Sequence, residues 1–389
     1  MALQPYKGAT TAQFYIEEVT PGVTPTSPAW KPLRNTGGIP AVTRDALVSN
    51  ELDGSRETSS IRTGNRQVAG EYAIELSSQS QDDLLAGAMT SSWVAGSTVA
   101  SLSITVSASA KTFTRATGDF TTAVEVGDLV AFPGLTGDNA KPFIVTAVSA
   151  LVVTGAGING ALTNQAAGAT SLIVADQLVT GNLCKTFSIL TWFKGRCGAA
   201  DSFLITRGVE FSGFSIEQAV NAMVTGSFPF IGLSQEVLSA VPAGSTFNVS
   251  FTDEPFASVD VSAFNGTAPL KLINTFTITN DNGASAQFEL GNAEVAFVER
   301  GRAANTFSLA GMLYDMTLLN LFLTETQIEL TSILSGVDGA MSFTLKRAEL
   351  TAATPEIGGP ESITLSLEGQ ATGNSQLSSI IIQRINYVP

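Results

Sequence analysis

The chain has 389 residues, 44% of them hydrophobic and 14% charged, with 20 Lys plus Arg against 34 Asp plus Glu, a net charge of −14 and no histidine. This apolar content excludes a disordered chain, and the length allows two or three domains with their own cores. The acidic balance argues against sequence-specific nucleic-acid binding. Without histidine there is no imidazole acid–base chemistry, and with only Cys184 and Cys197 as thiols there is no zinc site without carboxylate help.

Thirty-six glycines and a texture rich in Thr, Ser and Val favour strands joined by tight turns. The opening MALQPYKGATTAQ lacks the apolar stretch of a signal peptide, so export by the usual secretory route is not expected. A short strand, QFYIEEV, leads into an extended arm whose prolines at 21, 25, 28 and 32 exclude helix. Ser49–Arg66 follows, a polar segment carrying Glu51, Asp53, Arg56, Glu57, Arg62 and Arg66. It holds no nucleophile beside a base. It reads either as a disordered surface loop or as a segment that orders against another subunit, its arginines pairing with carboxylates. Gln67–Leu76 then alternates with period two, and Ser80 is placed to cap a helix with Asp82 and Asp83 in its first turn and Leu84, Leu85 and Ala88 on its buried stripe.

Ala95–Asn182 alternates short strands and turns at even spacing, which predicts a small barrel or sandwich projecting outward as a separate module. Within it, residues 142–175 carry no charge, yet glycines and amides interrupt them well short of a membrane-spanning length. Gly155, Gly157 and Gly160 have dinucleotide-loop spacing after a strand, but ALTNQAAGATS makes a poor helix to receive a pyrophosphate, so a glycine-rich hairpin is expected. Cys184 and Cys197 read as buried small residues, a bridge across a hairpin being the alternative.

After the linker Ser239–Thr246, strands are expected at Phe247–Phe251, Leu270–Ile278 and Ala286–Val298. Asn280-Asp281-Asn282-Gly283 before Glu289 echoes a calcium loop, but Ile278 stands where the first carboxylate belongs, so a hairpin turn is expected. Two blocks repeat. Arg207–Gly232 and Arg347–Gly373 each run from a strand through a polar connection into a strand closing on glycine. Gln67–Met89 and Thr306–Leu323 each run from a strand into a short helix, the second capped by Asp315 with Leu318, Leu319 and Phe322 inward. Such repetition, in a chain without histidine, points to a building block rather than an enzyme.

The segments YIEEVTPGVTPTSPAWKPLRNTGG, LVSNELDGSRE, RTGNRQVAGEYAIELSSQSQDDLLAGAM and GVEFSGFSIEQAVNAMVTGSFPFIG, in this order, resemble the tail tube proteins of long-tailed, siphovirus-type bacteriophages. The resemblance implies a mainly β fold: two tandem tail-tube-type β-sandwich units, each with a short flanking α-helix, plus an inserted small β-barrel or sandwich. On that reading residues 1–95 and 183–238 form the first unit, 96–182 the inserted decoration domain and 239–389 the second unit. It further implies a non-enzymatic virion protein, made in the host bacterial cytoplasm, that needs no cofactor or metal and inserts into no membrane. Its partners would be copies of itself, other tail proteins and transiently passing DNA. Doubled units would close a pseudo-hexameric ring from three chains, with Glu51, Asp53, Arg56, Glu57, Arg62 and Arg66 reaching toward a neighbouring subunit or ring. An acidic lumen would repel phosphates. Two other readings start from residues alone: a β-rich adhesion or carbohydrate-binding tail component using exposed Trp30, Trp93 or Trp192, and a nucleotide-dependent enzyme on the glycine motif.

Overall fold

The structure, a computed structural model, describes residues 5–52, 56–158, 160–197, 199–248, 252–359, 362–374 and 376–386. The fold is mainly β, and its elements run in this order. The chain begins with β1 (Thr11–Glu17), β2 (Ala29–Pro32), β3 (Ala41–Val48), β4 (Ile61–Glu75) and α1 (Asp82–Ala88). A closed barrel follows, built from β5 (Thr98–Ser107), β6 (Thr112–Arg115), β7 (Leu129–Ala131), β8 (Phe143–Val148), β9 (Val152–Ala156) and β10 (Gln165–Val174). Next come β11 (Asp176–Val179), β12 (Phe187–Phe193), β13 (Ser202–Phe211), β14 (Gly213–Ala219), β15 (Thr225–Gly232), β16 (Ser234–Leu238) and β17 (Thr246–Phe247). The last part holds β18 (Val261–Asn265), β19 (Ala268–Pro269), β20 (Ile273–Asp281), β21 (Ser285–Phe288), β22 (Val295–Glu299), β23 (Ala304–Met312), α2 (Thr317–Leu323), β24 (Ile328–Ser335), β25 (Ala340–Glu356), β26 (Thr364–Ala371) and β27 (Ile380–Ile385).

Strand pairing displays the repetition directly. In the first set β1 joins β2 and β12, β12 joins β13, β13 joins β15 and β16, β15 joins β4, and β4 joins β3. In the second set β18 joins β19 and β24, β24 joins β25, β25 joins β26 and β27, β26 joins β23, and β23 joins β20. The long bent strand of each set passes from one layer of the sandwich to the other, as corner strands do at bulges. Phe211 faces Phe230 as Leu350 faces Gly369, so Gly208 corresponds to Arg347, and both hold left-handed backbone, φ 63° and 48°. The structure therefore shifts the sequence alignment by one residue, with Lys346 rather than Arg347 standing where Arg207 does. Register is a tertiary property that composition does not reveal.

One apolar core runs between the layers and through both sets, joining Phe187, Phe211, Phe214 and Phe228 to Phe343, Leu367 and Ile382. Outside it, the outer layer of the first set is covered by Trp30 and the linker residues Val241 and Phe247. The outer layer of the second set is covered by the barrel, whose Leu129, Ala131 and Ala175 pack on Ile333, Ala340 and Ile385. The barrel has its own core, with Phe113 stacked on Phe132 and Phe143 at ring distances of 5.1 and 4.5 Å. It is thus seated on the outer layer of the second set. Gly157 (φ 88°) explains part of the glycine run: a Cβ there would lie 2.4 Å from Ile333 Cδ1. Strand β10 follows the run, so no helix receives a phosphate there, and Asn159 lies outside the described residues.

Local expectations are refined as well. Ser80 does not cap α1; its hydroxyl is engaged by Ser77 and by Arg34 Nη1, while Leu84, Leu85 and Ala88 are buried as the stripe requires. Asp315 Oδ1 accepts from Thr317 N–H at 2.8 Å at the start of α2, but Leu318, Leu319 and Phe322 are only half-buried. Cys184 and Cys197 are exposed and unbridged, so neither is a core residue. Asp281 accepts from Gly283 N–H, and Asn280 and Asn282 are turned inward to other partners; β20 pairs with β14 and β23 and β21 with β22, so this segment connects two pairs and does not close the expected hairpin. The strand expected at Phe247–Phe251 is described only at its start, since 249–251 lie outside the described residues.

Because Phe343 touches Phe214 of the other set at a ring distance of 6.4 Å within one core, Phe343→Ala is expected to cost about 3–5 kcal/mol and to shift both sets together. Denaturant melts followed by tryptophan fluorescence and far-UV circular dichroism check this; separate transitions for the two sets would contradict the shared core.

Candidate functional site: an acidic sheet face and two open edges

The inner layers of the two sets fuse. Strand β14 pairs with β20 from Gly213↔Asp281 to Ala219↔Thr275, giving the order β3-β4-β15-β14-β20-β23-β26-β25. Successive side chains alternate between the core and the opposite face. On β14 the core takes Phe214, Ile216 and Gln218; on β23 it takes Asn305, Phe307 and Leu309; on β26 it takes Leu365 and Leu367. The other face presents Glu71, Ala73 and Glu75 on β4, Ser215 and Glu217 on β14, and Thr275, Thr277 and Thr279 on β20. It continues with Thr306 and Ser308 on β23, Thr364, Ser366 and Glu368 on β26, and Thr354 and Glu356 on β25. One cross-strand row reads Glu75, Thr225, Glu217, Thr277, Ser308, Glu368 and Ala352. No lysine or arginine stands among these positions. With strands about 4.8 Å apart, the face is a hydroxyl lawn studded with carboxylates.

The seam between the sets is sealed on its core side. Asn282 donates its side-chain N–H to the Ala88 carbonyl of α1, and Arg300 pairs with the buried Glu210. Arg384 of β27 pairs with Asp82 of α1 and with Asp176 (3.2 Å) while lying 4.3 Å over the Trp93 ring. Burial pushes the Asp82 carboxyl up to about 7, its neighbours Asp83, Asp176 and Asp253 adding to the rise and Arg384 opposing it. Beneath this seal five of the α1 residues are buried, whereas α2 has none buried and leaves Met316 and Leu323 exposed. Both helices occupy the same place in their sets. What differs is that a neighbouring set covers α1.

Both ends of the fused sheet are open. Along β3 every residue is exposed, Val42 among them, with Ile39 just before it, and at the opposite edge β25 ends in exposed Thr354, Pro355 and Glu356, followed by Ile357. Strands β3 and β4 extend beyond the sheet as a hairpin arm, so the polar segment is shorter than expected: Arg62 and Arg66 belong to β4, across from Leu47 and Arg44. Glu51, Arg56 and Glu57 are exposed near the arm's tip, and Asp53 lies outside the described residues. Arg66 is instead held within the chain by Glu294. The second set carries a matching arm, the β21–β22 hairpin, and Leu52 and Leu290 at the two arms are fully exposed. Sequence reasoning missed this second arm: the single strand expected over Ala286–Val298 is broken at 289–294 into the paired β21 and β22.

Tryptophan platforms for sugar are not formed. Trp30 is buried with its indole N–H on Ser245 Oγ (3.0 Å), Trp93 lies under Arg384, and Trp192 packs against Phe203 and Phe247. Among the described residues no helix is long and apolar enough to cross a membrane. The family model described as phage tail tube protein matches residues 8–371. No curated protein matches the chain.

A carboxyl whose folded value is raised binds a proton in the native state that the unfolded chain has already lost, so its contribution to stability falls as pH rises from about 4 to about 7. Asp82→Asn removes that dependence. The wild type should lose about 4 kcal/mol relative to Asp82→Asn between pH 4 and pH 8, measured by urea titration; parallel pH profiles would refute the assignment.

Proposed function

The chain belongs to the phage tail tube protein family, and on that premise we propose that it builds a tube from rings of three chains, with the acidic sheet face lining the lumen. As a member it is a structural protein of the phage tail. The observation that carries the finer reading is the β14–β20 seam, where two equivalent halves of one chain already join edge to edge. The open edges along β3 and β25 are the same two edges left without a partner. Unpaired N–H and C=O groups in a row are a template for another strand, and a ring satisfies them all.

Size favours three chains. With eight inner strands from each, strand spacing near 4.8 Å and a tilt near 40°, three chains enclose a cylinder roughly 48 Å across between backbones. Two would give roughly 32 Å, too narrow for duplex DNA once side chains fill the rim. The α1/α2 contrast supports the same closure, since the next chain would cover Met316 and Leu323 as the second set covers α1.

In this reading residues 1–95 with 183–238 form one tube unit, 239–389 the other, and 96–182 a decoration domain on the outer side. The barrel's seat on the outer layer, opposite the acidic face, fits that placement. Glu51, Arg56, Glu57 and Arg62 at the first arm, with Leu52 and Leu290, reach toward the next ring, Asp53 being assigned with them from sequence alone; Arg66 braces the arm from within. The Glu-, Thr- and Ser-lined face repels phosphate and offers no cation on which DNA could dwell.

Cross-linking of purified tubes is expected to give a ladder stopping at three chains per ring; a ladder continuing to six would overturn the trimer. Glu75→Lys/Glu217→Lys/Glu368→Lys should leave tubes visible by negative stain but lower infectivity per particle by about tenfold or more through phosphate attraction. Unchanged infectivity would refute the charge argument.

A further inference from the structure

The inner seam fixes the register of the seam between chains. At its two ends Asn282 N–H donates to Ser212 O (2.8 Å) and Val220 N–H to Asn274 O (2.9 Å). Antiparallel alternation then makes Ile216 and Ile278 a mutually hydrogen-bonded pair at its centre. Their counterparts at the open edges follow from shared partners. Ile216 faces Gly226 as Pro355 faces Leu365, so Pro355 stands where Ile216 does. Gly226 faces Ile74 as Leu365 faces Gly311, so Gly70 corresponds to Phe307. Phe307 faces Ile278, and Gly70 stands opposite Pro40 in the register set by Gly37↔Ala73 and Ala41↔Ala69.

We propose that Pro40 and Pro355 of successive copies meet at the centre of every inter-chain seam, and that they guard both open edges against joining outside a growing tube. The proposal rests on the tube reading. Proline has no N–H, so the bonds that Ile216 and Ile278 exchange have no donor in the outer seam. The Pro40 carbonyl is also taken, accepting from Gln235 Nε2 at 3.1 Å. Nature blunts exposed edges with proline for this purpose. Here both edges carry it, Pro355 exposed and Pro40 buried beside the exposed Ile39 and Ala41, and at the positions that face each other. An isolated pair of edges is therefore weaker than the inner seam, and closure depends on contacts that a preceding ring adds.

The same register sets Thr354 against the next copy's Ala41, as Ser215 and Thr279 meet in the inner seam with hydroxyls 3.2 Å apart. The test uses the full chain with Cys184→Ser and Cys197→Ser, carrying Ala41→Cys and Thr354→Cys as a register probe, with and without Pro40→Ile/Pro355→Ile. Two restored hydrogen bonds per seam should lower the concentration at which purified protein forms rings or tubes by about tenfold or more. Light scattering and negative stain read the threshold, and a disulfide between the two introduced cysteines on non-reducing gels certifies ordered joining. A disulfide in assembled tails with an unchanged threshold overturns the guard and leaves the tube reading standing. Absence of the disulfide in assembled tails overturns the seam itself. Scattering material from the isoleucine variant that lacks the disulfide is disordered aggregate and also overturns the guard.

Discussion

Backbone hydrogen bonding at a sheet margin is the constraint on which this molecule depends. Among the described residues no strand pairs with the outer margin of the fused sheet at β3 on one side or at the end of β25 on the other, and apolar Ile39, Val42 and Ile357 stand exposed there. Inside the chain the identical problem is already solved, because β14 and β20 cap one another. The core beneath is continuous across that seam, so the two halves behave as one body rather than as beads on a string.

Equivalence between the halves is topological and not chemical. Gly208 and Arg347 share a left-handed bulge position, one residue suited to it and one not. Helix α1 is locked under Asn282, Arg384 and Trp93, while α2 lies half-open. The outer layer of one half is covered by a short linker with Trp30, that of the other by an entire barrel. The helix difference falls where the two halves meet each other, and the outer-layer difference where one half meets a linker and the other the barrel.

The inner face shows the opposite economy. Its positions are mostly Thr, Ser, Ala and Glu across both halves, with Met312 and Gln370 among them and with Glu217 corresponding to Glu356 and Ser227 to Ser366, whereas the core-facing positions on the same strands are mainly aromatic or aliphatic, Gln218, Asn280 and Asn305 being the polar ones. Small hydroxylated side chains of high β propensity keep such a surface smooth, and carboxylates spaced along it supply a uniform sign of charge.

The β-rich class, the two short helices, the inserted run of small strands and the family were all legible in the chain, because period-two alternation, turn residues and repeated blocks are local signals. Even the buried stripe Leu84, Leu85 and Ala88 could be read from spacing. Which carboxylates share a face could not, since Glu75, Glu217 and Glu368 become neighbours in one row only through pairings far apart in sequence. Nor could the seat of the barrel, the burial of Trp30, or the bond that takes Arg66 to Glu294. Alternation specifies that a strand has two faces. Only the register of its partners decides what each face meets and which edges remain open.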